Sequence, residues 1–157
     1  MQQLDNQDIK LLGLLQENGS QSTAELAEKL NMSQSPCWRR IDRLTQSGVI
    51  DRTVAIINRE QLGLDLVAFA TINLSSVGRK NMEIFESAVS KHEEVIECYT
   101  MTGAWDYMLK ILVKDIRHYE QFVRTYLLEL PMIGEIHSHI AVTEIKNTTK
   151  LPIESQL

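Results

Sequence analysis

Residues 22–50 read STAELAEKLNMSQSPCWRRIDRLTQSGVI, and the helix signals within them decide the fold of the N-terminal region. Ser22 stands three residues before Glu25, which is the capping-box spacing that starts a helix. Asn31 and Met32 interrupt that helix, and a second helix begins immediately afterwards. Two helices joined by so short a break are typical of a helix-turn-helix motif.

The second helix of this pair is predicted over residues 33–47. Pro36 falls in its first turn, where the missing N–H removes no helical hydrogen bond. Arg39 and Arg43 lie about 200° around the helix from its apolar stripe and are expected to point outward together. Trp38 is expected to pack between this helix and its neighbour. The apolar stripe, at the i, i+4 and i+7 spacing, consists of Cys37, Ile41 and Leu44.

A further helix is predicted before this pair, over residues 5–18. Gly19 follows it and is expected to adopt the left-handed conformation that ends many helices. After the pair, residues 49–58 alternate loosely and are rich in β-branched side chains, as in a strand or wing. The buried stripe of the first helix is predicted to consist of Ile9, Leu12 and Leu15, widened by Leu11 and Leu14.

From residue 66 onward the pattern changes to alternating strands and helices. Strands and helices are predicted in the order β 67–74, α 79–92, β 95–102, β 107–113, α 115–129 and β 133–145. This order is that of a ferredoxin-like βαββαβ unit, whose four-stranded sheet carries both helices on one face. The other face needs a cover, and Phe69, Tyr99 and Met101 make it apolar enough for a second copy of the chain. A closed two-fold dimer is therefore expected.

The fold class predicted for the whole chain is α+β. Residues 1–52 are predicted to form a winged helix-turn-helix domain of three helices plus a wing. Residues 53–65 are predicted to form a linker strand and hinge that turns at Leu62-Gly63-Leu64. Residues 66–157 are predicted to form the ferredoxin-like domain, with effector-binding and oligomerising roles.

The second helix of a helix-turn-helix normally enters the major groove of double-stranded DNA, with its first residues at the base edges. Gln34 and Ser35 lie where base contact is easiest, and arginine pairs well with guanine or phosphate. Residues 33–47 contain three arginines and one aspartate, in a chain of net charge −5. A local basic stripe on an acidic protein favours a DNA-binding protein that depends on a precise fit to its site rather than on bulk electrostatic attraction. A solvated helix face is the alternative on this pattern alone. The DNA-binding candidates are Ser33, Gln34, Ser35, Trp38, Arg39, Arg40 and Arg43.

Several classes of function lack support in the sequence. No apolar run approaches the roughly 20 residues of a membrane span, and the first residues show no secretory pattern. Cys37 and Cys98 lack metal-ligand spacing and fit a reducing compartment, so a cytoplasmic protein is expected. The sequence shows no nucleophile–base pair, no paired carboxylates and no phosphate-binding loop. We therefore expect no enzymatic activity and no bound cofactor. His137 and His139 share one face of a strand but lack a third ligand, so packing or pocket lining is favoured over a metal site.

Motifs along nearly the whole chain resemble the Lrp/AsnC, or feast/famine, family of transcriptional regulators. In the first half they are Asp5-x-x-Asp8-Ile9-x-Leu11-Leu12, Leu26-Ala27, Ser35-Pro36-Cys37-Trp38-Arg39-Arg40-Ile41 and Leu44-x-x-x-Gly48-Val49-Ile50. In the second half they are Leu62-Gly63-Leu64, Thr102-Gly103-Ala104-Trp105-Asp106-Tyr107 and Glu144-Ile145-Lys146-x-Thr148-Thr149. Each motif alone is moderately specific, and their common order and spacing carry the resemblance.

The resemblance implies dimers that pair through the C-terminal sheets and assemble further, commonly into octamers. It also implies a small effector, usually an amino acid, bound between dimers at a glycine-to-aspartate turn. Backbone N–H groups of that turn suit an α-carboxylate, and Asp106 suits an α-ammonium. Trp105 is bulky for such a turn and is expected to restrict or close the pocket. The matching positions are Gly103, Ala104, Trp105 and Asp106, with Thr102, Tyr107, Ser138 and His139 as weaker candidates for the wall.

We therefore hypothesise a coupling in which the effector changes how dimers pack, and thereby which paired DNA-reading heads reach adjacent major grooves. For Gly103 and Asp106 the alternative is a turn that needs a permissive backbone and a side-chain cap. For the whole chain the alternatives are a protein-binding interaction module and the regulatory subunit of an enzyme, because ferredoxin-like folds host many functions.

Overall fold

The computed structural model describes residues 4–76 and 78–153. The chain divides into two compact units: the first comprises the residues up to Ile56 together with those from Lys146 onward, and the second is Ile57–Ile145. This differs from the predicted ferredoxin-like domain of 66–157, because the C-terminal stretch joins the helical unit. The physical reason is that Ile153 packs against the helical core.

In its described residues the first unit contains the three helices that the apolar periodicity predicts: α1 Asn6–Glu17, α2 Thr23–Lys29 and α3 Gln34–Gln46. Capping boxes start the first two. Asp5 and Asp8 exchange side-chain and backbone hydrogen bonds at α1, and Ser22 and Glu25 do so at α2. These reciprocal bonds satisfy first-turn N–H groups that have no helical partner. The helix-turn-helix arrangement is thus confirmed.

The turn between α2 and α3 contains Asn31 in the left-handed conformation, with φ 52°, which asparagine tolerates better than most residues. The expectation of a left-handed Gly19 after α1 is wrong. Asn18 ends that helix in an extended conformation instead. The side-chain amide of Gln21 then donates to the Asn18 carbonyl at 2.8 Å and to the Leu14 carbonyl at 3.0 Å, and the latter also accepts the Asn18 N–H. These bonds serve helix-end carbonyls that a glycine turn would otherwise satisfy.

The core of the first unit contains the predicted stripe of α3. Cys37 and Leu44 are fully buried, and Ile41 packs against the same cluster. Burial raises the pKa of the Cys37 thiol, as expected for an inert core cysteine. The expected packing of Trp38 between helices is wrong, because the residue is 56% exposed. It follows Cys37 directly and therefore lies about 100° from the buried stripe.

Residues 49–58 do not form the predicted strand. Between α3 and residue 66 the described chain contains no strand, and the side chains of Val54, Ile56 and Ile57 are exposed. The β-branched composition suits a strand, but a strand also needs a partner for its backbone hydrogen bonds. Among the described residues of the first unit, no strand is present to supply that partner.

The C-terminal segment, defined here as residues 148–153, lies against α1. The backbone N–H of Leu151 donates to Gln16 Oε1 at 2.6 Å, and Gln16 Nε2 donates to the Leu151 carbonyl at 3.3 Å. Ile153 packs on the core of the first unit. The segment is therefore part of the helical unit rather than a loose end of the sheet.

Replacing Ile153 with aspartate is expected to lower the free energy of unfolding of the first unit by about 1–2 kcal/mol, since a partly buried apolar side chain becomes a charge. Amide hydrogen exchange over peptides from α1 measures this effect locally. Leu151→Asp is the matched control, because that side chain is exposed and the substitution keeps its backbone bonds to Gln16. Unchanged protection of α1 in Ile153→Asp would contradict a stabilising role of this packing.

The second unit is a four-stranded antiparallel sheet with two helices. Its elements are β1 Leu66–Leu74, α4 Arg79–Val89, β2 Val95–Thr100, β3 Tyr107–Val113, α5 Ile116–Phe122 and β4 Ile133–Ile140. The strand order is β2-β3-β1-β4, which confirms the ferredoxin-like prediction. After Phe122 the last helix continues through a wider, π-type turn as far as Leu127. Before β1, Gly63 with φ 70° makes the predicted turn and follows a short 3-10 helix, Glu60–Leu62.

β4 ends at Ile140, before the predicted end at residue 145. The N–H of Ala141 makes one further bond to the Val67 carbonyl, at 2.9 Å. Beyond it, Val142 and Ile145 are almost fully exposed. The neighbouring strand begins only at residue 66, so the later apolar residues have no backbone partner with which to extend β4.

The two faces of the sheet differ in what covers them. The helices cover one face, whose fully buried side chains include Ala70, Ile72, Leu109 and Ile111 beside Phe85 of α4. The opposite face, called the open face here, carries the strand residues that alternate with these buried ones, and neither helix covers it. From the strand register and alternation, its side chains include Phe69, Thr71, Glu97, Tyr99, Met108, Lys110, His137 and His139.

Candidate DNA-reading helix and effector site

The outward face of α3 brings most of the predicted DNA-binding residues together. Ser33, Gln34, Ser35 and Arg39 are exposed, with the indole of Trp38 beside them. Ser35 and Arg39 are four residues apart and therefore lie on one line of the helix surface. Ser33 caps the helix without a side-chain hydrogen bond, which leaves first-turn N–H groups available to an anion such as phosphate.

The three arginines of α3 have different environments. Arg40 Nη1 donates to Asp5 Oδ2 and to Asp8 Oδ1, both at 2.7 Å. Arg43 Nη2 donates to Asp8 Oδ1 at 2.5 Å. Arg39 makes no ion pair with the described residues. The expectation that Arg39 and Arg43 point outward together is therefore only half correct, since Arg43 leans toward α1.

The acidic partners at the start of α1 were absent from the sequence-based candidates. The bond from Arg40 lowers the pKa of Asp5 and raises the pKa of Arg40 itself. Asp8 is fully buried. The spacing of Asp5 and Asp8 predicts a capping box, but their pairing with arginines more than thirty positions away has no local signal.

Two further side chains extend the outward line of α3 and were missed. Asp42 lies three residues after Arg39, and Gln46 follows four residues later. Gln46 Nε2 donates to both oxygens of the Asp42 carboxylate, at 3.1 and 3.0 Å. A carboxylate on such a face can accept a bond from a cytosine amino group. The helical spacing from Arg39 was the signal that pointed to both.

The turn between β2 and β3 has the expected form. Thr102, Gly103 and Ala104 are exposed. Gly103 has φ 103°, a conformation that residues with a side chain rarely adopt, and a Cβ at this position would have no neighbouring atom within 4 Å. The turn is closed by the N–H of Met101, which donates to the Asp106 carbonyl at 2.8 Å. Its tip therefore presents backbone groups to the surroundings.

Asp106 fastens this turn to the end of β1. Its Oδ2 accepts the backbone N–H of Leu74 at 2.8 Å, and its own N–H donates to the Ile72 carbonyl at 3.0 Å. This is the side-chain cap that the sequence offers as the alternative to effector binding. One carboxylate oxygen suffices for it, so the same side chain can also meet a cationic group.

Trp105 turns toward the open face and lies on His137. Their ring centroids are 4.5 Å apart. Thr71 stands opposite His137 in the sheet register, and its hydroxyl is buried without a hydrogen-bond partner. His139 is on the same face, opposite Phe69. Trp105 therefore contacts one of the two histidines of the open face, and Thr71 beside that histidine carries an unpartnered hydroxyl.

Two of the weaker pocket candidates lie on the other side of the sheet. Tyr107 is fully buried, and its hydroxyl donates to Glu86 of α4 at 2.8 Å. Burial and this carboxylate raise the pKa of Tyr107. The Tyr119 hydroxyl donates to Ser138 Oγ at 2.6 Å, which places Ser138 on the helix face. Neither side chain is therefore grouped with the exposed turn or with His139.

Within residues 4–76 and 78–153, no three His, Cys, Asp or Glu side chains are grouped so as to hold a metal ion. The ring of His137 contacts Trp105 instead. In the same described residues, every helix is too short or too polar to cross a membrane.

Comparisons with known proteins match both units. The family model of the Lrp/AsnC ligand binding domain matches residues 67–151, and that of a winged helix-turn-helix DNA-binding domain matches residues 4–51. Transcriptional regulator AzlB of Bacillus subtilis is 36% identical over 151 residues, which are 96% of this chain and 96% of that protein. The crystal structure of an AsnC family transcriptional regulator from Agrobacterium tumefaciens has a TM-score of 0.93 at 35% identity, with 98% and 100% of the two chains covered. A transcriptional regulator of Neisseria meningitidis in complex with L-Met has a TM-score of 0.95 at 35% identity, with 99% and 100% covered.

Proposed function

Because the chain belongs to the Lrp/AsnC family of transcriptional regulators, which are not enzymes, we propose that α3 reads operator DNA and that the turn at 102–106 binds an amino-acid effector. The observation that carries the DNA-reading role is the outward face of α3. There Arg39 is unpaired among the described residues and stands beside an exposed Trp38. An indole with a purely structural role would be buried in the core, whereas an exposed indole on this face is available to contact DNA.

The reading helix divides into two parts. Ser33, Gln34 and Ser35 occupy its start, where helix-turn-helix proteins contact base edges. Arg39 lies one turn later and fits guanine, to which arginine donates two bonds, or a phosphate. Trp38 supplies an apolar surface for a thymine methyl group or a sugar. A regulator of this kind acts where the chromosome lies, so we also propose a cytoplasmic location.

The effector role rests on the turn and on its relatives. Gly103 offers backbone N–H geometry that suits a carboxylate, and Asp106 offers a negative charge close by. The L-Met complex of the Neisseria meningitidis regulator supports an amino acid as the class of effector. Trp105, lying on His137, narrows the space beside the turn. We propose that this ring selects effectors by side-chain size.

We propose a homodimer that associates further, as an octamer. The open face supports pairing with a second copy because Phe69, Tyr99 and Met108 are apolar and incompletely covered. Lys110 and Glu97 on the same face are bonded to each other at 2.9 Å, so they are neutralised before they meet a partner. An effector bound between dimers changes their packing, and DNA affinity changes with it by linkage.

A thermal-shift screen of the full chain against the standard amino acids tests the effector role. One amino acid or a related few is expected to raise the midpoint, with stabilisation of about 2.7 kcal/mol at a hundred times the dissociation constant. A flat screen would remove the sensing role and leave oligomerisation alone.

Asp106→Asn is expected to weaken binding of the amino acid identified in that screen by about 10- to 100-fold, because a charge-assisted hydrogen bond is lost. The asparagine keeps an oxygen for the Leu74 N–H, so the turn stays closed. Isothermal titration gives the dissociation constants, and Asp65→Asn, at an exposed carboxylate of the same unit, is the matched control. Equal affinity in both variants would show that Asp106 serves only as a cap.

A further inference from the structure

Asp8 is the one charged side chain that is fully buried among the described residues. It lies in the first turn of α1, where Oδ2 accepts the backbone N–H of Asp5 at 3.1 Å. Its Oδ1 accepts Arg40 Nη1 at 2.7 Å and Arg43 Nη2 at 2.5 Å. Both carboxylate oxygens are therefore occupied, and two of the three bonds come from α3.

A carboxylate removed from water requires charged or polar partners in good geometry. The burial of Asp8 therefore fixes one nitrogen of each arginine. The consequences differ, because Arg40 also bonds Asp5 and its side chain is 27% exposed, whereas the Arg43 side chain is 42% exposed. A guanidinium has five N–H donors, so Arg43 keeps free donors on a side chain whose direction is already fixed.

We propose that Asp8 is a positioning residue for DNA reading: it holds Arg43 beside the outward face of α3, aimed at the phosphate backbone, and leaves Arg40 as a structural tie. This rests on the proposed reading role of α3. It assigns a different task to each of the three arginines of α3. Arg39 is the free contact, Arg43 the pre-oriented one, and Arg40 joins α3 to α1.

Pre-orientation and bulk charge predict opposite effects of removing Asp8. A long arginine side chain loses rotamer freedom when it binds phosphate, and an arginine already held by Asp8 loses less. Removing the carboxylate therefore weakens binding if orientation matters. If only net charge mattered, removing a negative charge beside two arginines would strengthen binding to a polyanion. The sign of the change separates the two.

The test uses the full chain with Asp8→Asn, and Asp5→Asn as matched control, since Asp5 contacts Arg40 and not Arg43. The probe is a duplex selected from a random-sequence pool by the unaltered protein, and anisotropy titrations are run at several salt concentrations. We expect Asp8→Asn to weaken binding about 10-fold and Asp5→Asn less than about twofold. In an Arg43→Gln background the effect of Asp8→Asn should fall below about twofold, as a double-mutant cycle requires of coupled residues.

Arg43→Lys is the second variant, and it keeps the charge and leaves Asp8 paired with Arg40. A lysine has one ammonium in place of a forked guanidinium, so it cannot hold Asp8 and reach phosphate in the same way. We expect it to weaken binding about 5-fold or more. Unchanged or tighter binding by Asp8→Asn, or full retention of affinity by Arg43→Lys, overturns the positioning role. Unchanged binding by Arg39→Ala would instead overturn the reading role of α3, so the two failures are distinguishable.

Discussion

Replacing Arg39 with alanine is expected to weaken binding to a selected operator duplex by about 10- to 100-fold, because a well-placed arginine contact to guanine contributes about 1–3 kcal/mol. Arg39 is exposed at the middle of α3 and has no acidic partner among the described residues, so its loss leaves no buried charge behind. Anisotropy titration with the selected duplex and with a scrambled duplex measures the effect. The loss should be larger on the selected duplex, since a base contact carries sequence preference and a phosphate contact does not.

Arg52→Ala is the matched control for this prediction. Arg52 belongs to the same unit and is exposed, but it lies after α3, and its Nε is 3.8 Å from Oδ2 of its neighbour Asp51. Removing it changes net charge by the same amount without touching the reading face. Equal losses for Arg39→Ala and Arg52→Ala would contradict a specific role of α3 and indicate bulk attraction. Effector binding is expected to be the same in both variants.

Most features that depend on neighbours along the chain are predicted well from the sequence, although the expected left-handed conformation of Gly19 is an exception. The Ser22–Glu25 capping box, the buried stripe of Cys37 and Leu44, and the left-handed Gly103 all arise from residues within a few positions of one another. Their physical causes are helix periodicity, N–H satisfaction and backbone sterics, which act locally. The fold class follows from such elements in order.

Features that depend on distant partners could not be predicted in this way. The apolar residues after Ile140 suit a strand, but the antiparallel partner strand β1 begins only at Leu66 and offers nothing further to pair with. The C-terminal segment lies on α1, although Leu151 and Gln16 are 135 positions apart. The link from Arg43 to Asp8 spans 35 positions. None of these has a periodicity or spacing that a single sequence can display.

For the candidate effector site, strand alternation is a signal in the sequence that would have separated two of the predicted pocket residues. The resemblance implies both Ser138 and His139 as pocket residues, yet consecutive residues of a strand point to opposite faces. Ser138 accordingly meets Tyr119 under the helices, and His139 lies on the open face. The same alternation places Tyr107 in the core. The turn at Gly103 and Asp106 was easier to predict, because turn chemistry is local.

Replacing Phe69 with aspartate is expected to weaken dimer formation by at least about 100-fold, since each copy would lose an apolar contact and bury an unpaired carboxylate. Because such a dimer has two-fold symmetry, each substitution is present twice in the interface. The isolated chain should tolerate the change, because Phe69 is on the open face and its cross-strand neighbours are Lys110 and His139. Sedimentation velocity over a concentration series measures the dissociation constant.

Phe69→Leu is the matched control, as it retains an apolar side chain and should retain the dimer. If Phe69→Asp sediments as the unaltered protein does, the open face is not the dimer interface. The variant also examines the coupling between assembly and sensing. An effector site completed only between dimers requires dimers, so Phe69→Asp should lose the amino-acid thermal shift although the turn at Asp106 is untouched. Retention of that shift by a monomer would place the whole effector site within one chain, and effector control of DNA binding would then need a route other than the packing of dimers.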